Sequence, residues 1–357
     1  MTPDVCEVLS ACAREWVDVD HPVRVAAVEA TLDLDTHRFT EEAVAFAINR
    51  SMDTLRDVDV LRSWCRQLKG LGNGRRLAVL NPGHIPLVEL QDLVAAVLAG
   101  FTWRGTVSSR SPWLLPSFLD ELLHTFGGSS CMDAAVASVE DVLQEADLLI
   151  ASGSDETMDI ISGKAADAGI PRERCWLRGH RFSVAVLDGA ESSDELVAAS
   201  EDMLLHEGLG CRSAAIVFVP EDQSPDALLE ALAVFRGTFP VHPKTSGALV
   251  MQKGFLAALD QPHAWGDGPS FLLSCGEAEE QGPGHIRWVP YGHPEEVSSW
   301  ISGHRERLQS VYVREERLDT WSERCGMQVE QLGSAQRPPL SWCPDGMSHK
   351  EFFQEHF

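Results

Sequence analysis

The sequence is short of positive charge. Its 357 residues hold 29 Lys and Arg against 54 Asp and Glu, a net charge of −25. A field of that sign repels phosphate backbones and argues against nucleic-acid binding. An acidic carrier protein or coenzyme A would need a local basic patch. No CxxC pair occurs among the nine scattered cysteines. Neither a zinc knuckle nor a disulfide framework is therefore expected. His285, His293 and His304 are irregularly spaced and lack cysteine partners, so no metal site is expected either. Scattered thiols suit a reduced, cytoplasmic protein. No apolar run approaches membrane-spanning length, and Met1–Trp16 lacks a basic start followed by an apolar stretch, so neither membrane insertion nor export is expected. Repeats and low-complexity tracts are missing. So are GxGxxG and GxxxxGK[ST], which removes the standard dinucleotide fingerprint and the P-loop.

What remains is an ordinary globular composition, 44% hydrophobic and 23% charged, long enough for two or three domains. Val5–Trp16, Pro22–Leu34 and Thr40–Ile48 carry apolar residues at helical spacing, with Thr40 as a cap before Glu41 and Glu42. Residues 1–70 thus read as a helical N-terminal segment. From residue 75 to 190 strands and helices alternate. Strands are expected at Arg76–Leu80, Gly105–Val107, Asp147–Ala151, Arg174–Leu177 and Ser183–Leu187, and helices at Leu87–Ala99, Pro112–Leu123 and Met158–Ala168. That alternation predicts an α/β fold with a parallel sheet covered on both faces. Domains are expected at 71–205 (nucleotide binding) and 206–310 (catalytic, carrying a cysteine). Residues 311–357 are expected to form a C-terminal return, whose proline-rich end packs over another domain or subunit.

Three strand ends carry small or hydroxyl residues: Pro82 and Gly83, Ser108 and Ser109, Gly153 and Ser154. Such loops suit a nucleotide laid across strand ends with its pyrophosphate against a helix N-terminus. Each taken alone reads more simply as an ordinary βα turn. Arg172, Arg174, Arg178 and Arg181 form a basic run that is either a phosphate contact or a solvated loop. Farther on, His206–Val219 (HEGLGCRSAAIVFV) sets Cys211 in a glycine-rich turn before an apolar strand. A thiol there is a plausible nucleophile or a small buried hydrophobe. His206 and His180 are candidates to tune the thiol or shuttle a proton; the plainer reading of both is structural.

The order of these segments resembles the aldehyde dehydrogenase superfamily, and within it the acyl-CoA reductase branch that includes the fatty-acid reductase of bacterial luminescence. NPGHIPL resembles the family's Pro-x-Asn-x-Pro loop. TVSSRSP resembles its Lys-Pro-Ser-Ser segment, and ADLLIASGSDETM its Gly-Ser cofactor loop. LRGHRFSVAVLDG resembles the Glu-Leu-Gly-Gly-Lys segment, HEGLGCRSAAIVFV the Gly-Gln-x-Cys nucleophile motif, and RPPLSWCPDG the C-terminal segment of the reductases. The match begins near residue 75, and the chain is shorter than a typical member, mainly after Cys211.

The resemblance implies that Cys211 attacks an acyl thioester, and that the oxyanion-hole asparagine is replaced by His84. It places Pro82, Gly83, Ser108, Ser109, Arg110, Gly153, Ser154, Gly179 and His180 toward a nicotinamide cofactor. The family's ribose-contacting lysine falls on Thr106. Leu177 and Arg178 stand near the water-activating glutamate of dehydrogenases, a loss that suits reduction over hydrolysis. Ser108, Ser109 and Arg110 in place of an acid favour NADPH over NADH. The implied activity is reduction of an acyl-CoA or acyl-carrier-protein thioester to an aldehyde. The alternatives are an aldehyde dehydrogenase and an inactive scaffold subunit. Association into a homo-oligomer is expected from the superfamily's habit.

Overall fold

The computed structural model describes residues 4–327 and 329–356. The chain divides into two compact units. One spans residues up to His180 and from Pro339 onward; the other is Arg181–Pro338.

The first unit opens with four helices, α1 (Val5–Val17), α2 (Pro22–Leu32), α3 (Glu41–Leu55) and α4 (Val58–Leu68). Their starts follow their sequence: Asp4 accepts from the Cys6 N–H, and Thr40 from that of Ala43. A sheet follows, with β1 (Arg76–Leu80), α5 (Leu90–Ala99), β2 (Thr102–Gly105), α6 (Leu114–His124), β3 (Asp133–Val136), α7 (Val139–Leu143), β4 (Leu148–Ser152), α8 (Asp155–Asp167) and β5 (Cys175–Arg178). The strand order is β3-β2-β1-β4-β5 and every pairing is parallel. Alternation along the strands builds two cores. Leu77 and Val79 of β1, with Leu148 and Ile150 of β4, bury against α1, α3, α4, α5 and α6. Ala78 and Leu80, with Leu149 and Ala151, bury against α7 and α8. The N-terminal helices are thus one layer of this unit rather than a separate segment ending at residue 70. Trp16 of α1 donates to Glu121 Oε2 of α6 at 2.6 Å across that layer.

The second unit runs β6 (Phe182–Val186), α9 (Ser193–Leu204), β7 (Ala214–Pro220), α10 (Asp226–Thr238), α11 (Pro243–Ala258), β8 (His263–Trp265), β9 (Leu272–Cys275), β10 (His285–Tyr291), α12 (Pro294–Gly303), β11 (Leu308–Val313), α13 (Leu318–Cys325) and β12 (Glu330–Gln331). Its sheet order is β12-β11-β6-β7-β10-β9-β8, parallel except where β8 meets β9. Phe182, Val184, Ile216 and Phe218 share a core with Val297 and Ile301 of α12 and Trp321 of α13. Because β6 and β11 belong to this sheet, the chain divides at 180/181, not at 205/206 or 310/311. Residues from Pro339 return to the first unit. Gln91 Nε2 donates to the carbonyls of Leu340 and Trp342, at 2.9 and 2.8 Å. The last helix, α14 (His349–Glu355), buries Phe352 and Phe353 in the first core. The proline-rich end therefore packs within its own chain.

Most expected elements stand within a few residues of their sequence positions. Helix α5 begins three residues late because Leu87 takes a left-handed φ of 58° after Pro86. Strand β2 ends before Thr106, which leaves Thr106–Arg110 as loop. The glycine-rich stretch from Gly254 to Pro283 contains the end of α11 and both β8 and β9.

Candidate active site

All strands of the first sheet point one way, so their carboxyl ends share one edge. Chain order reverses between β1 and β4, which is where open α/β sheets form their ligand crevice. Pro82, Gly83 and His84 follow β1, and Ser108, Ser109 and Arg110 lie in the loop after β2. Gly153 and Ser154 close β4, and Gly179 and His180 follow β5. The topology thus brings every residue expected to face a cofactor to one sheet edge.

These loops brace one another. The Asn81 N–H donates to Thr106 Oγ1 (3.2 Å), and Asn81 Nδ2 donates to the Thr106 carbonyl (2.8 Å). A Cβ at Gly83 would overlap Ser108 Oγ, so only glycine permits this approach. The Arg110 N–H donates to Ser108 Oγ (3.2 Å), and Thr36 Oγ1 donates to the Ser109 carbonyl (3.0 Å). Thr106 is therefore a brace between loops, not a free ribose contact. On the β4–β5 side, the Gly153 N–H donates to the Arg178 carbonyl (3.1 Å) and the His180 N–H to Asp155 Oδ1 (2.8 Å).

Arg110 Nη1 lies 2.8 Å from His84 Nδ1. A guanidinium only donates, so Nδ1 accepts and Nε2 carries the ring proton. Desolvation lowers the His84 pKa, and Arg110, Arg38 and His180 lower it further. The ring is held as a neutral imidazole with one N–H to give.

The edge suits a nucleotide in part. Serine hydroxyls, loop N–H groups and Arg110 are the donors a phosphate or ribose takes. Helix α8 is less suited to a pyrophosphate than expected. Ser154 already caps it, accepting from the Thr157 N–H (3.2 Å), and Asp155 and Glu156 load its first turn with negative charge. Nor is the arginine run a joint phosphate patch. Arg172 bonds the Cys175 carbonyl, Arg181 belongs to the second unit and bonds the Glu306 carbonyl, and Arg178 pairs with Asp92 at 2.6 Å over the Trp176 ring. Asp92 Oδ1 also accepts from His349 Nε2 at 2.6 Å. Burial pushes this carboxyl up, but Arg178 and His349 hold it well below the usual range.

In the second unit Cys211 is exposed, on the turn between α9 and β7. Its neighbours are not. His206, Glu207, Arg212 and Ser213 are all buried, so the chain surfaces only around the cysteine. His206, Glu207 and Gly208 have successive φ values of 53°, 60° and 70°. A left-handed non-glycine residue costs roughly 1–3 kcal/mol and persists only where its surroundings impose it. Downstream, Arg212 donates to both oxygens of Glu330 (2.8 and 2.6 Å) and to the Ala335 and Ser334 carbonyls. Burial opposes the Arg212 charge, yet Glu330 carries its pKa above the ordinary value, with Tyr312 and Cys211 contributing. Ser183 Oγ donates to the Cys211 carbonyl at 2.9 Å. Burial drives His206 down to about 4, so the ring is neutral at physiological pH, a structural histidine rather than a cationic partner for the thiol.

Sequence reasoning missed Glu207, Arg236, Glu330, Asp92 and His349. The one visible signal was a charged residue inside an apolar helix, Asp92 in α5 and Arg236 in α10, which demands a buried partner. Among the described residues no group of three or more His, Cys, Asp or Glu is placed to hold a metal ion, and no helix is long and apolar enough to cross a membrane.

A family model described as acyl-CoA reductase (LuxC) matches residues 2–235. No curated protein matches the sequence. Among solved structures the chain is similar to PnpE from Pseudomonas sp. WBC-3, with 11% identity, TM-score 0.71, and coverage of 98% of this chain and 82% of that one. It is also similar to glyceraldehyde-3-phosphate dehydrogenase GapN from Methanocaldococcus jannaschii DSM 2661 complexed with NADP, at 11% identity, TM-score 0.70, and 99% and 87% coverage. A third is an NAD-dependent benzaldehyde dehydrogenase from Corynebacterium glutamicum, at 14% identity, TM-score 0.65, and 95% and 84% coverage. At these identities the likeness establishes the aldehyde dehydrogenase fold.

Proposed function

This chain belongs to the acyl-CoA reductase (LuxC) family, and from that premise we propose that it reduces an acyl thioester to an aldehyde through an acyl group carried on Cys211. The observation that supports this most is the display of Cys211: one exposed thiol on a strained turn whose flanks are buried and ion-paired. A preorganised nucleophile needs this rigidity; a packing cysteine does not.

In this reading the Cys211 thiolate adds to the thioester carbonyl. The tetrahedral oxyanion collapses, the C–S bond to CoA or a carrier thiol breaks, and the acyl group stays on the enzyme sulfur. The Cys211 N–H is the proposed oxyanion donor, and the neutral His84 ring keeps its Nε2–H as a donor at the strand edge of the first unit. A nicotinamide cofactor, when bound, supplies a hydride. Hydride addition to the acyl-enzyme carbonyl leaves a thiohemiacetal oxyanion, which re-forms the carbonyl as the C–S bond breaks and frees the aldehyde and the Cys211 thiolate. Pro82, Gly83, Ser108, Ser109, Gly153, Ser154, Gly179 and His180 are proposed to line the cofactor. Arg110 both fixes the His84 tautomer and keeps further N–H groups for a 2′-phosphate, hence a preference for NADPH. Leu177 and Arg178 supply no carboxylate to activate water, and the Asp92 carboxylate beside them is engaged by Arg178 and His349. That supports reduction over oxidation to an acid.

The test is turnover. The protein is incubated with NADPH and acyl-CoA thioesters of graded length while cofactor absorbance is followed, in parallel with Cys211→Ala. The proposal requires turnover in the wild type and a loss of about a thousandfold or more in the variant. Equal rates in both would remove Cys211 from the mechanism. No turnover with any CoA or carrier-protein thioester would favour an inactive scaffold.

A further inference from the structure

Glu207 lies four residues before Cys211 and is 3% exposed. Its carboxylate is held from two directions. Oε2 accepts from Arg236 Nη2 of α10 at 2.9 Å, and Oε1 accepts from the His242 N–H, which leads into α11, also at 2.9 Å. Its carbonyl accepts from the Gly284 N–H, just before β10, at 2.9 Å. One residue therefore ties three elements of the second unit to the left-handed turn. Gly208 then has no alternative, since its φ is 70° and a Cβ there would sit 2.8 Å from the Met203 carbonyl oxygen. His206 and Glu207 are not glycine, so their left-handed backbone must be imposed by what Glu207 grips. The exit from this turn is where the chain rises to expose Cys211.

We propose that Glu207 is the positioning residue of the cysteine turn, its clamp on Arg236 and the His242 N–H fixing the His206–Gly208 backbone from which Cys211 is presented. This rests on the reading of Cys211 as nucleophile, but the first readout does not require it. Cys211 is alkylated with iodoacetamide across a range of pH, and its rate is followed by peptide mass spectrometry in the wild type, Glu207→Gln, Glu207→Gly and Arg236→Lys. A single amide oxygen cannot serve both partners. Glu207→Gln should therefore slow Cys211 alkylation about tenfold and lower kcat by about ten- to a hundredfold, with the cofactor KM within about twofold of wild type, the size of loss that small misplacements of reacting groups produce. Arg236→Lys keeps the charge but loses the planar guanidinium that bonds both Glu207 Oε2 and the Phe239 carbonyl, and should show a smaller loss in the same direction. Glu207→Gly relieves the backbone strain while removing the clamp, and should alkylate as slowly as Glu207→Gln. A Cys211 alkylation rate within about twofold of wild type in Arg236→Lys and in folded Glu207→Gln, or full recovery in Glu207→Gly, overturns the proposal. If instead Cys211→Ala turns over normally while alkylation responds as expected, the functional reading fails and the clamp stands.

Discussion

At the strand edge of the first unit, candidate residues sit on loops that brace one another by uncharged hydrogen bonds, largely through backbone and small side chains. Around Cys211 in the second unit, the flanking residues are buried and carry charge: Glu207 on Arg236, and Arg212 on Glu330. The difference suits the two jobs proposed for these regions. A cofactor edge must offer unfilled donors and open backbone, so its order comes from close approach of loops. A nucleophile must hold one atom still, so its order comes from strain balanced by buried ion pairs. The first unit also holds a buried charge cluster at the end of β5, where Asp92 joins Arg178 to His349 of α14.

The contrast can be broken most forcefully by removing buried charge. Arg178→Met leaves Asp92 buried beside His349 alone and should destabilise the protein by about 3–5 kcal/mol. Arg212→Met strands Glu330, which is partly exposed, and should cost less, about 2 kcal/mol. Urea unfolding of both variants checks the order; the reverse order would mean that the cysteine turn, not the β5 end, holds the more demanding charge. Next, Gly83→Ala forces the β1 and β2 loops apart. It should raise the cofactor KM about tenfold while leaving Cys211 alkylation unchanged. A matching fall in alkylation would mean that the two regions are not independently ordered.

A smaller effect concerns pH. His206 sits near 4 in the folded protein, against about 6.5 unfolded. Between those values the unfolded chain binds more protons, so this residue's contribution to stability is present above pH 6.5 and is lost as pH falls toward 4. His206→Asn tolerates the left-handed backbone and does not titrate. From pH 6.5 to 4.5 its urea midpoint should fall less than that of the wild type, by the equivalent of about 1–2 kcal/mol. Equal slopes would contradict a buried neutral ring. Smallest is Ser183→Ala. It removes the bond to the Cys211 carbonyl and the acceptor for the Ser310 N–H, at about 1 kcal/mol, with a modest loss of alkylation rate.

Much of this architecture was legible. β1 and β4 stand where their apolar runs place them, and the expected cofactor loops all reach one edge because parallel strands share a direction. Other features were hidden for physical reasons. Strand β3 is a short edge strand with little apolar signal. The N-terminal helices read as a separate arm because periodicity reports an apolar face without saying what it buries. The division at 180/181 depends on β6 pairing with β7 and β11, a long-range choice. Glu207 was invisible since nothing in HEGLG tells that its carboxylate turns inward to Arg236, twenty-nine residues on. The basic run misled because sequence proximity of arginines says nothing about where each guanidinium is bound.

The central claim is that Cys211 carries the acyl group. Protein mixed with an acyl-CoA in the absence of any nicotinamide cofactor, then digested and mapped by mass spectrometry, reads this directly. The account predicts an acyl adduct on the peptide containing Cys211, discharged as aldehyde when NADPH is added. An adduct on another of the cysteines, or one on Cys211 that NADPH leaves in place, would contradict it.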